Sequence, residues 1–356
     1  MKNQHITELV DPYSKKKLSL TILNQDGGHV LEGVLMGEDK REYNIQGGVP
    51  RFISSHESDE TTHNTIQAFG NKWVRYKAQP KTEWLPFVEF LKEQYLCMLD
   101  CLDDQELIKR FQEAKTSLNA GCGIAWSDYG FNVNKDTLRF AVDFSEAVDV
   151  AYQRTHDIDN IAVLQGDIFH LPFTEEYFDI VFSNGVVHHT PNPKLAIEKL
   201  CYHLKKGGFI GLYIYNVKPF LRELADQSIR THTTDMSSDE CMEFSRQMAL
   251  LGKSFEQINT EINIAEDIPL LGIKKGNYPL QSFIYDHLVK CFYNPHISFE
   301  RCCWNNLDWY HPTIASHHTK EEIETWLKDA GVSKPSFRQP KGWEHSGYFV
   351  SGYKDS

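Results

Sequence analysis

Residues 117–126 read SLNAGCGIAW, an apolar start that runs into a Gly-x-Gly turn and then into a segment that can begin a helix. Because glycine has no Cβ, such a turn lets the backbone approach a bound ligand closely, and the N–H groups of the helix start favour a negative group on that ligand. Residues 138–144, LRFAVDF, predict a second buried strand that ends in Asp143. A carboxylate there can accept hydrogen bonds from both hydroxyls of a ribose. The two segments together predict the nucleotide-binding half of an α/β sheet.

Two classes of nucleotide ligand fit this pattern. The dinucleotide fingerprint requires a third glycine three positions after Gly123, and that position is Trp126. A pyrophosphate would lose its close approach to the helix there, so NAD and FAD are disfavoured. S-adenosylmethionine (SAM) needs only room for a ribose and a methionine carboxylate.

Four segments follow one another in order: NAGCG at 119–123, AVDFS at 141–145, QGDIFHLPF at 165–173 and FSNGVVHHT at 182–190. Together they resemble the class I SAM-dependent methyltransferases, in particular the type 11 methyltransferases. The match covers residues 117–215, with a return at 319–353. The resemblance implies an α/β fold with a Rossmann-like, doubly wound, seven-stranded sheet, and SAM as the cofactor. The alternative is an α/β domain that binds no SAM.

The resemblance also implies a set of cofactor contacts. Asp167 would accept a hydrogen bond from the adenine amino group, although a helix cap is an alternative role for it. Phe69 and Trp73, on a helix ahead of the first core strand, would line the cofactor pocket or else pack as an aromatic stripe on the domain. The implied cofactor-binding residues are Phe69, Trp73, Asn119, Ala120, Gly121, Cys122, Gly123, Asp143, Phe144, Ser145, Gly166, Asp167, Ile168, Ser183, Asn184, Gly185 and His188.

Two departures from the family pattern concern the glycine turn. The family usually has Asp where this chain has Asn119, and often has glycine where this chain has Ile124-Ala125. An asparagine can still form hydrogen bonds, but it holds the methionine ammonium less strongly than a carboxylate. These departures leave open a domain that binds the cofactor poorly, or a degenerate partner subunit.

The chain exceeds one typical domain, and its segments predict five regions. The β-rich leader resembles the zinc ribbon that precedes some rRNA methyltransferases, but its ligand positions fall on residues 11–14, Met36 and Asp39, which supply no thiolate, so we expect no metal. The alternative is a simple β-meander. The predicted regions are the leader (1–55), N-terminal helices over the cofactor site (56–110), the SAM-binding core (111–216), a helical substrate-cap insertion (217–316), and a C-terminal helix with two strands that complete the core (317–356).

Catalysis by such a domain consists mostly of in-line positioning, because the methyl group of a sulfonium is already activated. The candidates for a proton-accepting or positioning role are therefore residues near the fourth-strand end and at the end of the cap. A histidine satisfied by backbone hydrogen bonds, and an ion-pair ladder along Arg222, Asp226 and Arg230, are the structural alternatives. The predicted catalytic residues are His188, His189, Tyr310 and His311, and the predicted substrate-binding residues are Arg222, Arg230, Trp309 and Tyr310.

The composition restricts the partners. Lys and Arg number 37 against 49 Asp and Glu, a net charge of −12, which argues against a nonspecific nucleic-acid binder. No stretch approaches the length of a membrane span, and the eight cysteines are scattered, so we expect a cytoplasmic protein with reduced thiols. The sequence leaves the oligomeric state open. We expect a methyltransferase for a small-molecule or sugar-like acceptor; the alternatives are a non-catalytic partner protein and a methyltransferase for RNA or protein.

Overall fold

The computed structural model describes residues 1–53, 61–62, 64–66, 69–70, 91–339 and 346–356. Within them, the central sheet has eleven strands in the order β1-β2-β3-β4-β7-β6-β5-β8-β9-β13-β12, and a separate hairpin pairs β10 with β11. The strands are β1 (Ser19–Asp26), β2 (His29–Met36), β3 (Glu42–Gln46), β4 (Val49–Phe52), β5 (Thr116–Ala120), β6 (Leu138–Asp143), β7 (Ile161–Gly166), β8 (Phe178–Asn184), β9 (Leu204–Ile214), β10 (Glu261–Ile264), β11 (Gly276–Pro279), β12 (Ser336–Arg338) and β13 (Tyr348–Tyr353).

The middle of the sheet is parallel and doubly wound. From β5 the chain proceeds outward through β6 and β7, and it then returns to the other side of β5 for β8 and β9. Every residue of β7 is buried, as expected for a parallel strand covered on both faces. The strand order reverses between β5 and β8, and a crevice at the carboxyl ends of the strands is the usual ligand site of such sheets.

The expected count of seven strands is wrong for the whole sheet. Seven strands run from β7 to β12, but the leader adds four more, because β4 pairs in parallel with the open edge of β7. The side chain of Arg51 strengthens this junction by donating to Gln165 Oε1 and to Asp149 Oδ1, each at 2.7 Å. An exposed strand edge readily pairs with another strand, and here the leader covers it.

The two leader loops at the zinc-ribbon positions approach each other. A Cβ built on Gly37 would lie 2.9 Å from Asp11 Oδ2, and that carboxylate accepts hydrogen bonds from the Tyr43 hydroxyl and from the N–H groups of Tyr13 and Ser14. Asp11 thus links its own loop to Tyr43 on β3 and lies beside the loop that contains Gly37. In the described part of the chain, no three His, Cys, Asp or Glu side chains are grouped so that they could hold a metal ion.

The helices flank the sheet and build the insertion. The predicted final helix is observed at Lys320–Asp329, where Thr319 and Glu322 form a reciprocal capping box. Residues 91–98 are also helical. The named α-helices are α1 (Asn3–Ile6), α2 (Asp104–Gln112), α3 (Trp126–Gly130), α4 (Ala147–Thr155), α5 (Pro193–His203), α6 (Phe220–Thr233), α7 (Ser238–Ile258), α8 (Leu280–His287), α9 (Phe299–Tyr310) and α10 (Lys320–Asp329).

The insertion shares a hydrophobic core with the sheet. Helices α7 and α9 contribute Cys241, Met248 and Leu307 to a buried cluster that also contains Phe182 and Phe349 of the central strands. The insertion is therefore packed onto one face of the sheet. None of the helices in the described ranges is both long enough and apolar enough to cross a bilayer.

Candidate functional site

A cavity of about 580 Å³ lies at the carboxyl ends of β5, β6, β7 and β8 and continues beneath the helices of the insertion. Its first end is lined by the turns that follow these four strands. Its second end is lined by residues of the insertion and by Tyr213 and Tyr215 at the end of β9. The cavity therefore occupies the crevice expected at a strand-order reversal.

The glycine turn after β5 forms the floor of the first end. Gly121 has φ +78°, and a Cβ there would lie 2.1 Å from a methyl carbon of Val186, so both the backbone conformation and the close packing require glycine. The N–H of Gly123 donates to Asp143 Oδ2 at 2.7 Å. The turn and the acid at the end of β6 are thus held as one unit.

Asp143 lines the cavity, and both of its carboxylate oxygens already accept hydrogen bonds from the protein. Its Oδ1 accepts from the N–H and the hydroxyl of Ser145, at 2.8 and 2.6 Å. Burial raises the pKa of this carboxyl, although the hydrogen bonds from Ser145 and Gly123 favour the charged form. Since a carboxylate offers about four lone-pair positions, a ligand hydroxyl would bind at Oδ2 or replace the Ser145 hydroxyl.

Asn119, at the position where the family usually has aspartate, contacts a carboxylate from another element. Its amide nitrogen donates to Asp128 Oδ2 at 2.6 Å and to Ser127 Oγ at 3.0 Å, both on α3. Burial raises the pKa of Asp128 to about 6, opposed by the charge of Arg139 and the hydrogen bond from Asn119. A negative charge therefore lies directly behind Asn119, and the sequence pattern gave no sign of it.

Asp167 holds the turn that follows β7 and also lines the cavity. Its Oδ1 accepts from the N–H of Phe169 at 2.9 Å, and its Oδ2 lies 3.1 Å from His170 Nδ1. The expected alternative of a helix cap is wrong, because a turn and not a helix follows Asp167, and its carboxylate borders the cavity. The residues of the expected cofactor set that line the cavity are Phe69, Asn119, Ala120, Gly121, Cys122, Gly123, Asp143, Phe144, Ser145, Gly166, Asp167, Ile168, Asn184 and Gly185.

Two members of the expected cofactor set lie behind the lining. Ser183 is buried, and its hydroxyl donates to the carbonyl oxygen of Ala120, which ties β8 to β5. His188 is also buried: its Nδ1 accepts from the N–H of Tyr215, and the two rings stack with centroids 3.7 Å apart. Burial, followed by the charges of His189 and other neighbours, lowers the pKa of His188 well below its usual value, so the ring is neutral. Trp73 lies outside the described residues.

His189 is the expected catalytic residue that lines the cavity. Its Nδ1 lies 2.6 Å from the carbonyl oxygen of Ile314, so Nδ1 carries the proton in the neutral ring. Its ring also packs edge-on against Phe69, with centroids 4.9 Å apart. His189 therefore lies beside an aromatic ring of the N-terminal segment and near the end of β8.

The insertion contributes a basic and aromatic second end. Arg222 and Trp309, both expected to bind substrate, line it. Sequence reasoning missed Lys218, Lys290 and Tyr285, which also line it, because they come from separate segments with no shared motif. Tyr215 is a site residue that the sequence could have indicated, since it directly follows the carboxyl end of a core strand.

Three expected site residues lie outside the described cavity lining. Arg230 is buried and donates to the carbonyl oxygens of Trp309, Pro312 and Thr313. The hydroxyl of Tyr310 donates to Lys290 O at 2.8 Å, and His311 Nε2 lies 3.2 Å from Ser238 Oγ. These contacts join the end of α9 to the rest of the insertion, so the three side chains are placed to support the cavity wall.

The strands around this cavity lie in a region that is similar to known proteins. Residues 118–212 match the family model described as a methyltransferase domain. This part of the chain is therefore similar to a methyltransferase domain. A demethylmenaquinone methyltransferase from Staphylococcus saprophyticus is 31% identical over 99 residues, which make up 26% of this chain and 42% of that protein. The match thus spans less than half the length of that relative.

Solved structures of methyltransferases resemble the chain more loosely. A putative S-adenosyl-L-methionine-dependent methyltransferase from Methanococcus maripaludis is 16% identical, with 85% of this chain and 98% of that chain covered at a TM-score of 0.40. A chain in the complex of the Haloferax volcanii Trm112 methyltransferase activator with a putative methyltransferase is 12% identical, with 77% and 97% covered at 0.39. Both likenesses have TM-scores below 0.5.

Proposed function

We propose that this protein transfers a methyl group from SAM to a small-molecule acceptor bound beneath the insertion. The observation that supports this most directly is the single cavity. It joins the glycine turn and Asp143 at one end to Lys218, Trp309 and other insertion residues at the other. A donor and an acceptor in one continuous cavity can meet in line, which is the main requirement of methyl transfer.

The residues at the first end fit SAM. Asp143 would accept from the ribose, and Asp167 would accept from the adenine amino group beside the backbone of Ile168. Both amide hydrogens of Asn119 are engaged by Ser127 and Asp128, so Asn119 would offer its Oδ1 to the methionine ammonium. The charge of Asp128 would support that contact from behind. SAM would supply the activated methyl group, and the chain would supply position and charge.

The second end would hold the acceptor and exclude water. Tyr215 and Trp309 pack against each other with ring centroids 4.9 Å apart, and both line the cavity between the strand ends and the insertion. His189, with its proton fixed on Nδ1, is the proposed base for an acceptor that must lose a proton. His188 would keep Tyr215 in place.

Calorimetry with S-adenosylhomocysteine (SAH) and SAM tests the cofactor part of the proposal. We expect one equivalent of either ligand to bind, and absence of binding would favour a degenerate partner protein. Incubation of labelled SAM with separated small-molecule and macromolecular fractions of a cell extract tests the acceptor part. We expect label in the small molecules. Label only in RNA or protein would contradict the proposed acceptor class.

A further inference from the structure

The second end of the cavity is basic although the chain as a whole is acidic. The described charged residues that line it are four cations and one anion: Lys218, Arg222, Lys290 and Arg301 against Asp308. The whole chain carries a net charge of −12. A local reversal of charge inside a ligand cavity points to the charge of the ligand rather than to solubility.

Three of these cations converge on one aromatic ring. Lys290 Nζ lies 4.7 Å, Lys218 Nζ 4.9 Å and Arg222 Cζ 5.3 Å from the centre of the Trp309 ring. All three side chains are at least nine-tenths buried, since their residues are 6%, 4% and 1% exposed. Gathering like charges away from water is unfavourable unless an opposite charge joins them.

The carboxylate that pairs with Arg222 already accepts hydrogen bonds at both of its oxygens. Asp226 pairs with Arg222 and also accepts from Trp309 Nε1, the Tyr310 hydroxyl and the N–H of Lys290. It therefore neutralises the guanidinium and holds the ring in place, but it lies behind the cavity wall. Its contact with Lys290 is through the backbone and not through the ammonium group.

The amino groups of the two lysines differ in their partners. Lys218 Nζ donates to Asn216 Oδ1 and to the carbonyl oxygen of Ser346, both at 2.6 Å. Lys290 Nζ has ring contacts with Tyr285, Phe292 and Trp309 but no hydrogen-bond or ion-pair partner among the described residues. A buried ammonium group that borders a cavity without such a partner is a ready binding group for an anion.

The protonation behaviour of the lysines agrees with a missing counter-ion. Burial and then the charge of Arg222 lower the pKa of Lys290 to about 7, although Asp226 and Asp308 act in the opposite direction. Burial, followed by the charges of Arg222 and Lys290, also lowers the pKa of Lys218 well below its usual value, although Glu223 and Asp226 act in the opposite direction. An anion bound between them would restore the charged form of both.

We infer that the methyl acceptor carries an oxyanion, a carboxylate or a phosphate, which binds among Lys290, Lys218 and Arg222 at the second end of the cavity. This inference rests on the proposed function, because it places the charged group of the acceptor in the same cavity as the cofactor. The rings of Tyr215 and Tyr285 border the same space and would contact the uncharged part of the acceptor.

The test uses two small anions as probes, inorganic phosphate and benzoate. The full chain, saturated with SAH, is titrated with each probe at pH 7 and constant ionic strength, and binding is measured by calorimetry. Lys290→Met removes the ammonium group but keeps an unbranched apolar side chain, and loss of an uncompensated buried charge should not harm folding. Lys275→Met, at an exposed lysine of the same insertion, is the matched control.

We expect one of the two probes to bind the wild type and the control with equal affinity. Its affinity for Lys290→Met should be lower by a factor of about ten or more, because a charged hydrogen bond is lost. Preference for phosphate or benzoate would tell which oxyanion the acceptor carries. Equal binding to wild type and Lys290→Met, or no binding of either probe to a chain that binds SAH, would overturn the inference. If the chain binds an anion but does not bind SAH, the anion site is not part of a methyl-acceptor site. Failure to bind SAH by itself counts against the proposed function.

Discussion

Asn119 donates an amide hydrogen to the buried carboxylate of Asp128 across 2.6 Å, at the floor of the first end of the cavity. The negative charge lies on the helix that follows β5, whereas the sequence pattern that the chain resembles usually has aspartate at the end of that strand. If this charge helps to hold the methionine ammonium, Asp128→Asn should weaken SAH binding. For two charges several ångströms apart in a partly polar interior, the loss should be roughly 1–2 kcal/mol. Calorimetry measures it, with exposed Asp136→Asn as the control.

The same carboxylate predicts a pH dependence of cofactor binding. The pKa of Asp128 is about 6, so the group is charged at pH 7.5 and becomes neutral as the pH falls through 6. The affinity of the wild type for SAH should therefore decrease between pH 7 and pH 5. The affinity of Asp128→Asn should stay nearly constant over that range. Parallel pH profiles for the two proteins would show that another group controls binding.

Asp143 should contribute more to cofactor binding than any other single side chain at the first end. Asp143→Ala removes the ribose acceptor and also the partner of the Gly123 N–H. Since charge-assisted hydrogen bonds are involved, we expect a loss of about 2–3 kcal/mol in SAH binding. Calorimetry measures the affinity, circular dichroism verifies the fold, and exposed Asp157→Ala is the control. Unchanged affinity in a folded variant would remove Asp143 from the site.

His203 should make the protein less stable in mild acid. Its Nδ1 contacts the carbonyl oxygen of Thr174 at 2.8 Å, and burial lowers its pKa to about 4. Between pH 6.5 and pH 4 the unfolded chain binds a proton here that the folded protein does not. The free energy of unfolding should therefore fall by about 1.4 kcal/mol per pH unit from this residue alone.

The variant His203→Asn isolates this contribution. Its amide nitrogen can replace Nδ1, and it does not titrate, so urea unfolding between pH 6.5 and 4.5 should show a correspondingly shallower dependence. The exposed residue His232 provides the control, because His232→Asn should leave the slope of the wild type unchanged. Identical slopes for wild type and His203→Asn would mean that the folded protein protonates His203 normally.

Arg230 should stabilise the insertion rather than bind the acceptor. It donates to three backbone carbonyls just after and at the end of α9, including those of Trp309 and Pro312. Arg230→Met leaves these buried acceptors without a donor, which should cost about 3 kcal/mol or more in the free energy of unfolding. Urea unfolding measures it. Arg246→Met removes an exposed arginine that pairs with Glu243 and should have no measurable effect.

Loss of affinity for the acceptor without loss of stability in Arg230→Met would instead support the substrate-binding role expected from the sequence. The sequence correctly suggested that Arg222, Asp226 and Arg230 share a helix face. It suggested a solvent-exposed ladder or an anion grip, and the structure places all three in the interior of the insertion. Helical spacing in the sequence predicts which side chains share a face of a helix, but it does not predict which other segments pack against that face.

The leader likewise has local features that the sequence predicts and a long-range pairing that it does not predict. The sequence predicts a β-rich leader, and its first two strands are observed at Ser19–Asp26 and His29–Met36. Alternation of apolar residues and the Asp26-Gly27-Gly28 turn predict such a hairpin locally. The pairing of β4 with β7, which enlarges the central sheet to eleven strands, joins segments more than a hundred residues apart and leaves no local trace.

From the sequence alone one can predict the strands, turns and capped helices of the region similar to a methyltransferase domain, and the order of the segments that line the first end of its cavity. These features depend on neighbouring residues: glycine at positive φ, buried apolar runs, and a capping box at Thr319. Only the tertiary structure decided that Asp128 lies behind Asn119, and that Lys218, Arg222 and Lys290 surround Trp309. Such groups form where distant segments pack together, and the free energy of a charge depends on the burial and partners that this packing creates.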